Sequence, residues 1–202
     1  MTWILTASGK SLDLRFLLQD SIAIEDIAHH LAQVNRFTGA CSRPYSVAEH
    51  SLFVAEILER NQAAVSPDIL LAGLLHDAHE AYTTDLSSPM KDRVGRAWVE
   101  AEESVSFAVR RRFALLTVFA GTGGDLVKWA DLTALSTERA ALLPAAVPVW
   151  PVTRSHPALA WDFEATARFT WRDWRDTFLE RYAELDFARR NATTGAGAGD
   201  AQ

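Results

Sequence analysis

The sequence predicts an all-α fold, a helical bundle preceded by a small β-hairpin, and three observations carry that expectation. Apolar residues recur at helical spacing through most of the chain. Ser66-Pro67 and Ser88-Pro89 have the form of helix starts, a capping hydroxyl followed by proline at the first helical position. Two short alternating apolar stretches, around Ser8-Gly9 between Trp3 and Leu14, fit a hairpin. Residues 1–190 read as one domain, and 191–202, NATTGAGAGDAQ, as a disordered tail because they are small, polar and glycine-rich.

Taken in order, Ile24, Ile27, Ala28, Leu31 and Val34 predict a first helix from about Ile22 to Arg36, followed by a loop through Gly39 and Pro44. Ser46 and Glu49 have capping-box spacing and open a second helix, VAEHSLFVAEILER. Ser66-Pro67-Asp68 starts a third, ILLAGLLHDAHEAY, whose leucines are apolar nearly all round, as in a helix buried at a bundle centre. Ser88-Pro89 starts a fourth that runs towards Phe113 and ends in Arg110, Arg111 and Arg112, read as a solvated face. After the break at Gly121–Gly124, Asp125 caps a fifth helix that stops before Pro144. A proline-rich loop leads to Asp162, which caps a last helix reaching about Arg190.

The composition excludes several function classes. Twenty Lys and Arg against 26 Asp and Glu give a formal charge of -6, opposite in sign to what coats nucleic acid or an anionic membrane. A chain of 202 residues can bury roughly 70% of its unfolded surface, enough for a deep site. One cysteine, Cys41, rules out an intramolecular disulfide and suits a reducing compartment; with no secretory signal pattern and no long apolar run, the expected location is the cytoplasm.

The chemistry concentrates in Leu70–Asp85, LLAGLLHDAHEAYTTD. Histidine and aspartate directly after a leucine core are costly to bury unless something compensates them, and a divalent cation does so by turning them into ligands. His50, alone, reads more readily as a satisfied core or cap histidine. Asp131 lies in mid-helix among Trp129, Ala130 and Leu132, where an unpaired carboxylate is unfavourable. Together His50, His76, Asp77 and Asp131, on three helices, form a mixed nitrogen and oxygen set. It suits one divalent transition metal ion, Co, Mn, Ni, Zn or Fe, with Mg a poorer match. Glu80, three residues after Asp77 and four after His76, and Asp85 beyond the helix are then free for general acid and base work. His79 is rotated away from both neighbours by helical geometry and is left out of the site. His29, His30 and His156 read as ordinary histidines, and neither a G-x-S-x-G nor a phosphate-binding P-loop motif is present.

The ordered set His50, His76-Asp77, Asp131 resembles the signature of the HD-domain metal-dependent phosphohydrolases. The stretches SGKSLDL, EDIAHHLAQVNRFTG, RPYSVAEHS, LLHDAHEAYTTDLSSPMK and WADLTALSTERAAL are similar to the small phage- and prophage-type relatives of bacterial 5'-deoxynucleotidases. The resemblance implies an HD-domain helical bundle in which His50, His76, Asp77 and Asp131 hold the metal and Glu80 and Asp85 assist hydrolysis. It also implies a phosphate-binding arginine before the first ligand helix: Arg36 matches it, one residue closer to His50 than in the nucleotidases, with Arg43 as the alternative. Lys91 matches a basic residue holding a phosphate oxygen, and Phe37 one that packs on sugar or base.

The expected activity is conversion of a deoxynucleoside monophosphate to deoxynucleoside and phosphate. Two alternatives stand beside it: a dNTP triphosphohydrolase releasing triphosphate, and a regulatory protein that binds nucleotide with little turnover. The expected partner is a small-molecule deoxynucleotide, with no nucleic acid and no membrane, and the chain is expected to form a homo-oligomer, a dimer or higher.

Overall fold

Three buried leucines on one short helix explain why the bundle is built around it. In a computed structural model describing residues 3–61, 65–145 and 148–196, helix α3 (Pro67–Leu74) buries Leu70, Leu71, Ala72, Gly73 and Leu74. It packs against α2 (Val47–Asn61), α8 (Thr122–Leu142) and α10 (Trp171–Ala196). From Leu70 onward α3 loses water contact on all sides, which is the main driving force for its central place. Gly73 allows the close approach to α2: a Cβ there would lie 2.5 Å from Leu58 Cδ1. Helix α1 (Ile24–Leu31) packs on α10 and on α4 (Glu80–Thr83). The hairpin forms as expected, β1 (Trp3–Leu5) antiparallel to β2 (Ser11–Asp13) with Ile4 opposite Leu12. It is tied to α1 by the Asp26 carboxylate, which accepts from Ser8 N at 2.7 Å and Ser8 Oγ at 2.8 Å.

The sequence expectation of an all-α bundle with an N-terminal hairpin therefore holds, but several element boundaries differ. The first helix stops at Leu31, not Arg36, because the chain turns back on itself: Asn35 bridges Ser46, Arg36 N donates to Tyr45 O at 2.9 Å, and Val47 N donates to Val34 O at 2.9 Å. The third helix ends at Leu74; Leu75–His79 form successive turns before α4 begins at Glu80. The single helix expected from Ser88 to Phe113 is two, α5 (Ser88–Val94) and α6 (Arg96–Arg112), separated by Gly95 at φ +74, a conformation that costs glycine little.

A short α7 (Leu116–Phe119) precedes α8, which starts at Thr122 with Asp125 already in its first turn. The proline-rich loop contains one helical turn, α9 (Val152–Ser155). Asp162 caps only the 3-10 turn Phe163–Thr166, and α10 starts after Thr170. There Thr170 Oγ1 and the Asp173 carboxylate exchange hydrogen bonds with each other's backbone N–H, a capping box that uses aspartate at the third position. Helix α10 continues to Ala196, so 191–196 are helical and not part of a disordered tail; 197–202 lie outside the described residues. Among the described residues no helix is long and apolar enough to cross a membrane.

Candidate metal centre

The four ligand candidates arrive from three elements anchored in the core. His50 lies in the first turn of α2, which is capped by Ser46 Oγ accepting from Glu49 N at 3.1 Å. His76 and Asp77 leave the end of α3, and Asp131 projects from the middle of α8. Their functional atoms converge. His50 Nε2 and His76 Nε2 are 3.2 Å apart, and Asp131 Oδ1 is 3.4 Å from the first and 3.8 Å from the second. Asp77 Oδ2 lies 3.1 Å from His76 Nε2 and 3.5 Å from His50 Nε2. The two ring nitrogens and an Asp131 oxygen thus lie within 4.8 Å of one another, and Asp77 Oδ2 stands within 3.5 Å of both nitrogens.

The far side of each imidazole is fixed. His76 Nδ1 is 2.8 Å from Gly73 O, which can only accept, so this nitrogen carries a proton and in the neutral ring leaves Nε2 as a lone pair. His50 Nδ1 is 2.5 Å from Glu138 Oε1, and that carboxylate, fully buried, also accepts from Tyr45 Oη at 2.8 Å and from Arg36 at 3.3 Å. Two lone pairs facing each other at 3.2 Å are repulsive unless a cation or a proton lies between them. Buried histidines oriented by a carbonyl and a carboxylate are the arrangement that metal-binding imidazoles use. The residues present therefore fit a divalent cation, although several ions satisfy such a set.

Without a cation, protons do the compensating. Burial lowers the affinity of His76 for a proton, but the carboxylates of Asp77 and Asp131 outweigh it and lift its pKa to about 9. His50 is likewise lifted well above the ordinary range: burial and Arg36 oppose its charge, and Glu138, Asp131 and Asp77 prevail. Burial disfavours the charge on Asp77 and Asp131, yet the two imidazoles hold both carboxyls well below the usual range.

The break after Leu74 changes how the next residues are presented. Asp77, His79 and Glu80 each bring a ligand-type atom within 4.8 Å of the other two. In a continuous helix His79 would be rotated away from Asp77 and Glu80, but here the helix is interrupted after Leu74. His79 is buried, with Nε2 3.4 Å from Glu102 Oε1, so it belongs to the rim of the centre. Glu80 is 3% exposed and its Oε2 has no hydrogen-bond partner. Burial, then repulsion from Asp77 and Asp85, raises its carboxyl well above the ordinary range. The half-buried Asp85 carboxyl is raised by burial, with Arg36 pulling the other way.

The basic residues are less free than the sequence suggests. Arg36 is buried at the centre, 3.6 Å from Asp77 Oδ2 and 3.3 Å from Glu138 Oε2. Arg43, the alternative, points away and holds Glu49 with two hydrogen bonds of 2.6 and 2.9 Å. Lys91 donates to Glu102 Oε1 at 2.7 Å. Phe37 follows Arg36, whose guanidinium lies 5.3 Å from its ring centre, and faces Trp150 at 6.1 Å. Phe37 and Thr38 both have positive φ, at 54° and 55°, a conformation that side chains adopt at a cost.

Sequence reasoning missed Glu138, Tyr45, Glu102 and Lys128, whose Nζ is 2.8 Å from Asp131 Oδ2. Glu138 carried a signal: it follows Asp131 by seven residues, two helical turns, and so lies on the same face of α8.

No family model matches the chain. It is 34% identical over 158 residues to the uncharacterized protein YfdR of Escherichia coli, covering 78% of this chain and 82% of that one. It is 38% identical over 138 residues to the uncharacterized protein RCAP_rcc00048 of Rhodobacter capsulatus, covering 67% of this chain and 70% of that one. Similarity at this level, over most of each chain, shows that the protein belongs to the family that includes YfdR and RCAP_rcc00048.

Proposed function

We propose that this protein is a metal-dependent phosphohydrolase of deoxynucleotides that converts a deoxynucleoside monophosphate to deoxynucleoside and phosphate. The observation that carries the reading is the approach of the Asp77 and Asp131 carboxylates to the two facing ring nitrogens of His50 and His76, beside the buried Glu80 carboxyl, whose Oε2 has no hydrogen-bond partner. The resemblance of this ordered set to the HD-domain phosphohydrolases supplies the substrate class. When bound, a divalent ion would supply electrophilic polarisation of a phosphoryl oxygen and acidification of water.

The chain's own residues account for the remaining needs. Hydrolysis adds water at phosphorus, breaks the P–O5' bond and places a proton on O5'. Glu80, whose carboxyl burial and the neighbouring acids shift towards its protonated form, is suited to deliver it, with Asp85 as the second group. Arg36, 3.6 Å from Asp77 Oδ2, holds that carboxylate in place. Glu138 fixes the His50 ring from behind.

A panel of NMPs, dNMPs and dNTPs with Mn, Co, Ni, Zn and Mg, with products identified, tests the proposal. Phosphate and deoxynucleoside from a dNMP are the expected products. Free triphosphate from a dNTP would reassign the substrate. Tight nucleotide binding with no phosphate release under any metal would replace the enzyme by a regulatory binding protein.

A further inference from the structure

The last turn of α6 carries an arginine that the metal centre does not explain. Arg110 lines a cavity of about 870 Å³ together with Asp77, His79, Lys91, Phe107 and Phe119, a volume in the range of small-molecule sites. The centre of its guanidinium lies 4.0 Å from the Phe119 ring centroid. Its Nε is shielded from solvent and has no hydrogen-bond partner.

Among the described residues no carboxylate comes within ion-pair distance of Arg110, whereas every other cation near the centre has one. Arg36 is held by Glu138 and Asp77, Lys91 by Glu102, and Lys128 by Asp131. Of the acids on the cavity's outer wall, Glu100 pairs with Arg96 at 2.6 Å and Glu102 with Lys91 at 2.7 Å, while Glu103 is exposed to solvent. A half-buried guanidinium without a counter-ion is unfavourable unless a ligand supplies one. A planar fork already oriented by a ring behind it matches two oxygens of a phosphate.

Resting on the phosphohydrolase reading, we propose that Arg110 is a substrate-binding residue that receives phosphate oxygens of the nucleotide, its guanidinium held in position by Phe119. It is the phosphate contact that Arg36 and Lys91, already neutralised within the protein, do not provide.

The test uses the full chain loaded with Mn or Co, titrated calorimetrically with pyrophosphate and with dAMP, alongside steady-state kinetics. Arg110→Met keeps the aliphatic packing on Phe119 and removes the charge; losing a charge-assisted contact should weaken pyrophosphate binding on the order of tenfold to hundredfold. It should raise KM more than it lowers kcat. Arg111→Gln, at the exposed neighbouring position, should bind as the unaltered protein does. Unchanged pyrophosphate affinity in Arg110→Met overturns the assignment. If Arg110→Met does not fold, Arg110→Lys decides: a severalfold loss with charge retained supports the fork, and no loss refutes it. If no nucleotide is hydrolysed while Arg110→Met still loses pyrophosphate, the phosphohydrolase reading fails and the anion site stands.

Discussion

Replacing Glu138 by alanine should affect folding and metal binding together. The carboxylate is fully buried and serves three groups at once: His50 Nδ1 at 2.5 Å, Tyr45 Oη at 2.8 Å and Arg36 at 3.3 Å. Truncation leaves the Arg36 charge with Asp77 as its remaining ion-pair partner, at the longer distance of 3.6 Å. Removing one member of a buried pair costs about 3–5 kcal/mol. For a chain of this size that is a fall in Tm of about 6–20 °C.

Loss of the group behind His50 should in addition weaken metal binding by about 10- to 100-fold. Thermal unfolding of the metal-free protein and calorimetric titration with Mn or Zn measure the two effects separately. The double variant Arg36→Met/Glu138→Leu distinguishes them: it should recover part of the stability, since no charge is left unpaired, while metal affinity stays low. A melting point within about 2 °C of the unaltered protein, with unchanged metal affinity, would falsify the role assigned to Glu138.

Four further outcomes follow from the geometry. Asp77→Asn should remove bound metal, measured by elemental analysis of the purified protein. Glu80→Gln should leave metal content intact and reduce kcat on the order of 10²- to 10⁴-fold, the usual contribution of a positioned proton donor. A hydrogen bond from His79, opposed by burial and aided by Lys91, holds the Glu102 carboxyl at about 2 against an ordinary 4.5. Its contribution to stability is therefore present above pH 4.5 and lost as pH falls towards 2. The Tm difference between Glu102→Gln and the unaltered protein should shrink across that window, and a difference independent of pH would reject the linkage. A Cβ at Gly124 would lie 2.6 Å from Phe119 O, so Gly124→Ala should cost roughly 1–3 kcal/mol by displacing α7, seen as a lower Tm.

The sequence made the candidate metal ligands legible because each is a charged or ligating residue in apolar company. His76-Asp77 follows Leu74-Leu75, and Asp131 lies between Ala130 and Leu132. Ser66-Pro67 marked the start of α3 correctly, since a cap is a local device. The end of that helix was not legible. LLAGLLHDAHEAY has good helical propensity throughout, but in a continuous helix the Gly73 carbonyl would serve the N–H of residue 77, and here it accepts from the His76 ring. Propensity is a local quantity and yields to such a contact.

Glu138 and Arg110 escaped for a related reason. Their burial depends on Tyr45 and Arg36 in one case and on Phe119 in the other, residues far away in sequence or beyond a turn. A triple-arginine run on an amphipathic helix gives no local sign that its first member turns inward, towards a cavity, and away from water.

The five-residue segment Leu75–His79 is fixed at both ends, by the core packing of α3 before it and by the contact of α4 with α1 after it. Its span is therefore set independently of its composition. Adding or deleting one residue there would leave both helices in place and carry His76-Asp77 off the point defined by His50 and Asp131. The number of residues between the two helices is therefore as constrained as their identity. The segment acts as a ruler, and the centre is tuned by chain length as much as by chemistry.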